Sequence, residues 1–272
     1  MKKCGIFFLS LLLFTLYSCR PKEGNETMNA EKAENIVEYK KDTAIIISDT
    51  IPLDSHDAAS PVLCLNIMLE SLELESIAAT ERAIKAVSYS LAGEEHKDLA
   101  TACKAYTVKI ISEYEELRPD FINTRRNYEG AFWPNHEFTI KGICEREKKG
   151  YVNYILFHDE YQGGAHPNSY ITTFVFDTTD GHEITLDEIM KEGYEEALLQ
   201  IITQELIEHF KVSGIEELDK RIFGTADLFV SKNILVYNGY IRFIYNRYDI
   251  APYAAGDIII DITYEKLKEI LK

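Results

Sequence analysis

Apolar side chains recur at two spacings along this chain, and each spacing predicts one type of secondary structure. Every second position is apolar from Leu63 to Leu69, which indicates a strand with one buried face. Dense apolar runs of similar length predict six further strands, at 138–144, 151–157, 171–176, 234–237, 240–245 and 258–262. Asn238 and Gly239 are typical of a two-residue β-turn and predict a hairpin between two of these strands.

Other segments repeat apolar residues every three or four positions, as amphipathic helices do. Helices are predicted at 76–93, 99–119 and 194–210, with a short one at 264–271 and a capping box at 185–188. The strands follow one another as hairpins more often than they alternate with helices, which favours an α+β fold. We predict a mostly antiparallel sheet with two N-terminal helices, one long central helix and a short C-terminal helix.

The first 18 residues have the pattern of an export signal. A basic start precedes an apolar run at 5–17, which is shorter than the roughly 20 residues of a membrane-spanning helix. The run leads into Leu-Tyr-Ser-Cys at 16–19, which resembles the lipobox of bacterial lipoproteins. The resemblance implies cleavage before Cys19, acylation of Cys19 and anchoring to a membrane without spanning it. An ordinary cleaved signal, which leaves Cys19 a plain thiol, is the alternative.

A polar segment separates this signal from the folded body. Residues 19–60 are rich in Glu, Asn, Lys, Asp and Ser, and a flexible tether is the simplest interpretation. The segment has one notable apolar cluster, at 45–47, where an additional edge strand is the alternative. We expect a compact body after residue 60, with lobes at 61–150 and 151–272.

Charge and cysteine content narrow the range of functions. The formal net charge of −16 keeps a tethered protein soluble, argues against nucleic acid as a partner and would steer a cationic partner toward it. Besides the cysteines of the signal and the anchor, the chain has three more, Cys64, Cys103 and Cys144. None of them has the Cys-x-x-Cys spacing that would indicate zinc binding or redox chemistry. We interpret them as buried thiols, with a disulfide between Cys64 and Cys144 as the alternative. No cofactor and no metal site are predicted.

The loop between the strands predicted at 151–157 and 171–176 is the first candidate site. Gly163 and Gly164 free its backbone to adopt positive φ, and His166 follows them with a titratable ring. We select Tyr161, Gly163, Gly164 and His166 as candidate ligand-binding residues. A purely structural role, a metal ligand and a general base are the other interpretations of His166, although no HExxH spacing supports a metal.

The second candidate is the loop from Tyr248 to Gly256. It contains Tyr248, Pro252 and Tyr253, which we select as further ligand-binding residues. An exposed tyrosine suits recognition of a protein or a sugar, because it combines an apolar ring with a hydroxyl group. Packing within the loop is the alternative role for the same residues.

Catalytic patterns are weak along the whole chain. Ser169, His166 and either Asp177 or Asp180 could be drawn as a triad, but no serine has the Gly-x-Ser-x-Gly surroundings of a nucleophile elbow. Among 45 acidic residues some pair of carboxylates always looks suitable for a glycosidase, so such a pair does not indicate a catalytic site. We therefore predict no catalytic residue.

Three motifs in a fixed order resemble a known family. They are Tyr-Gln-Gly-Gly-Ala-His at 161–166, Asp-Gly followed by Ile-Thr-Leu at 180–186, and Tyr-Asp-Ile-Ala-Pro-Tyr-Ala-Ala-Gly at 248–256. They resemble the extracytoplasmic domain of unknown function shared by the anti-sigma factor RsiV and the non-catalytic N-terminal part of the peptidoglycan deacetylase PdaC. The resemblance covers about 151–272 and, more weakly, about 61–150. This chain departs from it at Pro167, where the family usually has glycine.

The resemblance implies recognition rather than catalysis. In RsiV the domain binds a protein, lysozyme, and in PdaC the deacetylase chemistry belongs to a different domain. We therefore expect a lipid-anchored binding or sensing module of the bacterial cell envelope, whose ligand is a protein or a cell-wall glycan such as peptidoglycan. A glycan hydrolase or deacetylase with an unrecognised histidine-based site is the alternative, and a passive structural lipoprotein is a third. The residue after Cys19 is Arg20 and not the aspartate that retains lipoproteins in the inner membrane, so a location in the outer membrane is favoured.

Overall fold

The computed structural model describes residues 38–40, 44–128 and 130–272, and these residues form an α+β fold. The strands in these ranges are β1 (Glu38–Lys40), β2 (Ala44–Pro52), β3 (Val62–Glu70), β4 (His136–Glu145), β5 (Tyr151–Tyr161), β6 (Asn168–Asp177), β7 (Ile234–Val236), β8 (Tyr240–Tyr245) and β9 (Ile258–Thr263). The helices are α1 (Ile77–Ala92), α2 (Leu99–Glu115), α3 (Arg118–Asn127), α4 (Leu186–Ile189), α5 (Glu195–Phe210), α6 (Ile215–Leu218) and α7 (Tyr264–Leu267). One sheet has the order β1-β2-β3-β4-β5-β6, and the other has the order β7-β8-β9.

The sheets are mostly antiparallel, as predicted. β3 and β4 pair in parallel, and every other pair of neighbouring strands is antiparallel. A parallel pair needs a long crossover connection, which α1, α2 and α3 provide here. The long helix α5 and the short C-terminal helix α7 confirm the remaining parts of the fold prediction.

The limits of α1 follow from its capping residues. The Ser76 side chain accepts a hydrogen bond from the backbone N–H of Ala79 at 3.1 Å and so satisfies one free donor of the first turn. Gly93 ends the helix at φ 80°, a left-handed conformation that costs glycine little. Both residues were predicted as the limits of this helix.

The segment around Pro119 corrects the predicted end of the next helix. α2 already ends at Glu115, and Pro119 lies in the first turn of α3. Proline is tolerated there because the first turn has no intrahelical partner for its missing N–H group. Arg125 and Arg126, which follow the predicted helix end, lie in the last turn of α3.

Strand β2 corrects the predicted tether. Residues 44–52 pair with β3 along its whole length, and Ile47 and Ile51 are buried on the same face. Apolar residues four positions apart face one side of a strand, so this segment contributes to the core despite its polar neighbours. A flexible tether through residue 60 is therefore wrong from Ala44 onward. The alternative of an additional strand is confirmed, but its expected edge position is not, because β1 pairs with the other side of β2. Residues 1–37, including Cys19, lie outside the described residues.

Each sheet has its own hydrophobic core, and a third cluster joins them. α1 and α2 pack on the first sheet, and α5 packs in the core of the second. The joining cluster consists of Ile155 and Ile171 from the first sheet with Leu235, Tyr237 and Ile244 from the region of the second. The two sheets therefore belong to one packed body.

Asparagine side chains add hydrogen bonds between the sheets. The buried Asn153 side chain donates to the carbonyl oxygen of Val236 and accepts from its N–H group, both at 3.1 Å. Asn233 donates to the carbonyl oxygen of Ile171 at 2.7 Å and accepts from the N–H group of Thr173 at 3.0 Å. These bonds satisfy backbone groups of β6 and β7 that no neighbouring strand pairs.

The lobe boundary predicted at residue 150 falls inside the first sheet. β4 and β5 flank it and pair from Glu137–Tyr161 to Glu145–Asn153. The first sheet ends with β6, so the division between the two sheets comes after Asp177.

The cysteine geometry excludes a disulfide between Cys64 and Cys144. Cys103 and Cys144 are free thiols, and burial raises the pKa of the Cys103 thiol to about 12. Cys64 pairs in register with Glu137, seven residues before Cys144 on β4. Seven strand residues span roughly 23 Å, whereas bonded cysteines have Cα atoms within about 7 Å of each other.

Across the described part of the chain, no helix combines the length and the apolar character needed to cross a membrane.

Candidate functional site

The loop between β5 and β6 holds His166 at the surface. Gly163 and Gly164 have φ values of 101° and 108°, which side-chain-bearing residues rarely adopt. Gly163 also lies against Pro134, because a Cβ atom at this position would approach the Pro134 Cγ atom to 2.7 Å. The Tyr161 hydroxyl donates to the carbonyl oxygen of Gly164 at 3.2 Å and closes the loop. Tyr161, Gly163 and Gly164 thus shape the loop.

His166 stacks on a tyrosine of the second loop. Its ring centroid lies 3.7 Å from that of Tyr253, with 18° between the ring planes. The Tyr253 hydroxyl donates to the carbonyl oxygen of Pro167 at 3.3 Å, which ties the two loops together. The Arg247 guanidinium lies over the same tyrosine ring, 5.0 Å from its centroid, and donates to its hydroxyl. With His166 and Arg247 both over its ring, Tyr253 has little free ring surface.

Tyr248 presents its ring to solvent from a strained turn. Its φ is 69°, and 57% of the residue is exposed. Asn246 and Asp249 close the turn around it: the Asn246 N–H donates to the Asp249 carboxylate at 2.7 Å, and the Asp249 N–H donates to the Asn246 carbonyl oxygen at 3.0 Å. The left-handed region costs such a residue roughly 1–2 kcal/mol, so the surrounding structure has to impose it.

These contacts bring three of the seven predicted ligand-binding residues together. We call His166, Tyr248 and Tyr253 the ring cluster. The ring centroid of Tyr248 lies 6.4 Å from that of His166 and 5.7 Å from that of Tyr253. The Tyr248 hydroxyl lies 3.5 Å from Nε2 of His166. Pro252 is exposed at the start of the short helical turn Tyr253–Ala255 of the same loop.

The catalytic triad considered from the sequence is not assembled. The Ser169 hydroxyl donates to the Asp159 carboxylate at 2.5 Å and not to His166. Asp177 ends β6, whereas Ser169 lies near its beginning, and a ten-residue strand spans roughly 30 Å. Neither Asp177 nor Asp180 can therefore orient the His166 ring.

A second polar cluster, which we did not predict, surrounds His182 after β6. The His182 Nδ1 atom lies 2.6 Å from the Asp180 carboxylate, and its Nε2 atom lies 2.8 Å from the Glu188 carboxylate. Arg82 of α1 pairs with Asp180 at 2.9 Å. The hydrogen bonds to Asp180 and then Glu188 raise the pKa of His182. The capping box at 185–188 was visible in the sequence, but the approach of α1 was not.

This second cluster is better suited to a proton than to a metal ion. Asp177, Asp180 and His182 each offer a ligand atom within 4.8 Å of the others, which is close enough for a cation. A metal-bound imidazole must be deprotonated and must turn a nitrogen lone pair to the ion. Here both nitrogens face carboxylates, and the raised pKa favours the imidazolium form.

Comparison with protein families identifies one domain. Residues 187–265 match the family described as "Protein of unknown function (DUF3298)". This range includes Tyr248 and Tyr253, whereas His166 precedes it. No curated protein matches the chain. The resemblance to RsiV and PdaC stays a prediction.

Two similar solved structures come from the same family. A DUF3298 family member from Bacteroides fragilis NCTC 9343 is 26% identical, with a TM-score of 0.75 over 87% of this chain and 94% of its own. A DUF3298 family protein from Pseudomonas aeruginosa PAO1 is 16% identical, with a TM-score of 0.54 over 84% of this chain and 94% of its own. The second likeness shows the fold alone.

Proposed function

We propose that this chain, with its DUF3298 domain at residues 187–265, is a lipid-anchored extracytoplasmic binding module without catalytic activity. Its ligand, a protein or a cell-wall glycan, contacts the ring cluster. The observation that carries this proposal is an exposed Tyr248, held in a strained conformation beside the exposed His166.

Tyr248 is the main contact residue. An exposed tyrosine in a left-handed conformation contributes little to the core and costs backbone strain, so stability alone does not account for it. Its ring and hydroxyl suit contact with either a protein side chain or the apolar face of a sugar. His166 adds a ring nitrogen 3.5 Å from the Tyr248 hydroxyl.

Tyr253 acts as a positioning residue. His166 and Arg247 both lie over its ring, and its hydroxyl binds the loop that carries His166. It therefore fixes the distance between the two loops and leaves ligand contact to Tyr248 and His166. A preorganised pair of rings loses less conformational entropy on binding than two mobile side chains would.

A binding role accounts for this geometry better than catalysis does. The ring cluster contains no serine or cysteine and no carboxylate, and the nearby Ser169 hydroxyl is turned to Asp159. Envelope location rests on the predicted signal and on Cys19. The DUF3298 domain is compatible with either role.

The binding experiment compares Tyr248→Ala with Tyr89→Ala. Tyr89 is 64% exposed on α1 and has no contact with the ring cluster among the described residues, so it controls for the loss of any exposed tyrosine. The probes are purified peptidoglycan, in a pelleting assay, and an envelope protein extract, by cross-linking. We expect Tyr248→Ala to weaken capture at least about tenfold, since a tyrosine that acts as a binding hot spot contributes about 2 kcal/mol or more.

Two results would contradict the proposal. Equal capture of wild type and Tyr248→Ala by both probes would remove the ring cluster from binding. Turnover of peptidoglycan or chitooligosaccharides that His166→Ala abolishes would replace binding by catalysis.

The anchor is tested separately. Metabolic labelling with a fatty-acid analogue should modify the wild type and leave Cys19→Ser unlabelled and released from the membrane fraction. Equal labelling of both would contradict acylation at Cys19 and would leave the ring cluster experiment unaffected.

A further inference from the structure

A buried histidine in β5 lacks hydrogen bonds that its chemistry requires. His158 is 4% exposed, and its ring stacks on Tyr170 at a centroid distance of 4.3 Å and an angle of 8°. Neither ring nitrogen has a hydrogen-bond partner among the described residues. A neutral imidazole carries one N–H donor and one acceptor nitrogen, so one group of each kind is left over.

A second unpartnered group comes from helix α2. The hydroxyl of Tyr106 is buried and makes no hydrogen bond of ordinary geometry within the described ranges, although the Glu160 carboxylate lies close enough to interact with it. The hydroxyl of the neighbouring Thr107 has no hydrogen-bond partner there either. Glu160 lies on the same face of β5 as His158, because the two are two residues apart. Its carboxylate accepts a hydrogen bond from Tyr170 at 3.4 Å and lies near Tyr106, and burial raises its pKa.

The register places this group at the base of the His166 loop. His158 pairs with Tyr170, and Glu160 pairs with Asn168, which begins β6. Tyr106 reaches the group from α2. The unpartnered atoms therefore lie between α2 and the ends of the two strands that carry the loop.

Neither protonation of the ring nor a bound metal ion explains how the two unpartnered ring nitrogens of His158 are satisfied. Burial lowers the pKa of His158 to about 4, so the ring is neutral at physiological pH. The structure's described residues bring three metal-ligand atoms within 4.8 Å only at Asp177, Asp180 and His182, at the other end of β6. What remains are neutral groups on opposite sides of the ring, one that donates to the acceptor nitrogen and one that accepts from the N–H group.

We propose that bound water occupies a site between Tyr106 of α2 and His158 of β5, and links this helix to the strands that carry the His166 loop. Water fits because it donates and accepts at once, and buried polar side chains without protein partners are ordinarily satisfied by ordered water. Because Nδ1 and Nε2 point to opposite sides of the imidazole ring, one water molecule binds one ring nitrogen and the Tyr106 hydroxyl, and the other nitrogen needs a second water molecule. This inference is independent of the proposed ligand of the ring cluster.

The direct test is a crystal structure of the protein at about 1.5 Å. We expect a spherical density peak at about 2.7–3.2 Å from a His158 ring nitrogen, with a second contact to the Tyr106 hydroxyl. Direct hydrogen bonds from the His158 ring to Tyr106 or Glu160, with no such peak, would overturn the proposal.

A matched pair of variants checks the assignment. His158→Phe keeps a ring that stacks on Tyr170 and removes both nitrogens, so the density peak should disappear. Tyr154→Phe removes a buried hydroxyl that donates to the Glu70 carbonyl oxygen at 2.9 Å on the same strand, and it should leave the peak in place. A peak that survives in His158→Phe would show that the imidazole does not bind the water.

A solution measurement covers the case in which His158→Phe does not crystallise. In wild-type protein labelled at histidine, we expect a magnetisation transfer from long-lived water to the His158 ring protons. The surface ring of His166 serves as the comparison, since its water exchanges rapidly. No transfer to His158 from long-lived water would contradict the proposal.

Discussion

Tyr248 and Tyr253 lie five residues apart in one loop and have different roles. Tyr248 is exposed and strained, whereas the ring of Tyr253 lies beneath His166 and Arg247. The sequence treats them as one motif and could not separate them, because the difference comes from residues of another loop. The strained backbone of Tyr248 leads to a prediction about the free energy of unfolding.

Replacing Tyr248 by glycine should stabilise the protein while it removes binding. Glycine adopts φ 69° without the steric cost that a tyrosine has, so we expect the free energy of unfolding to rise by about 1 kcal/mol. Chemical denaturation measures this change. Tyr89→Gly is the control, and it should lower the free energy by about 1 kcal/mol because it places glycine inside α1. A loss of stability in Tyr248→Gly would show that the exposed ring supports the fold.

Gly163 and Gly164 offer a matched pair for testing the loop. Both have positive φ, but only Gly163 has a close neighbour for an added Cβ atom, the Pro134 ring at 2.7 Å. We expect Gly163→Ala to lower the melting temperature more than Gly164→Ala, by several degrees. Equal losses would mean that backbone conformation alone decides the cost.

His182 gives a pH-dependent contribution to stability. Its pKa is raised in the folded protein, chiefly by the hydrogen bond to Asp180 and then by the one to Glu188. The contribution is therefore fully present below the unfolded pKa of about 6.5, and it is lost as the pH rises through the folded pKa. We expect the melting temperature of the wild type to fall relative to His182→Gln, by a few degrees, between about pH 6 and about pH 8. Parallel curves for the two proteins would contradict this role.

At the scale of elements, several helices and strands could be predicted because their signals are local. Ser76 and Gly93 limit α1 through hydrogen bonds and backbone conformation within the helix itself. The hairpin predicted at Asn238 and Gly239 joins β7 and β8, and the Tyr237 N–H donates to the Tyr240 carbonyl oxygen across it. β2 was predicted only as the alternative to a tether, because its polar flanks resemble a linker and its pairing with β3 is a tertiary contact. α3 escaped prediction because Pro119 is compatible with a helix end and with a helix start alike.

Asn153 tests the contact between the two sheets. Its side chain satisfies both backbone groups of Val236, and it is buried. We expect Asn153→Ala to lower the free energy of unfolding by about 2–4 kcal/mol, since two buried groups lose their partners at ~1–3 kcal/mol each. Asn66→Ala in β3 is the control because its side chain is exposed, and it should change stability by less than about 1 kcal/mol. Similar losses in the two variants would contradict the bridging role.

At the scale of the whole molecule, the two sheets should unfold together. Trp133 packs on Phe121 in the first core and is the one tryptophan of the chain, so its fluorescence reports that core. Far-ultraviolet circular dichroism also reports α5 in the second core. We expect coincident denaturation midpoints for the two signals, because a buried cluster and asparagine bridges join the sheets. Two separate midpoints would show that the sheets are independent domains.

By itself, the sequence determined the α+β class, the limits of several elements, the loops that carry the candidate residues and the acidic charge. These properties follow from spacing, capping and turn chemistry among residues close in the chain. Only the tertiary structure decided that His166 stacks on Tyr253, that α1 reaches the His182 cluster, and that β2 pairs with β3 in the first sheet. It also decided that His158 faces the interior without a hydrogen-bond partner among the described residues. Such contacts join residues that are distant in the chain, and their distances depend on how the sheets and helices pack together.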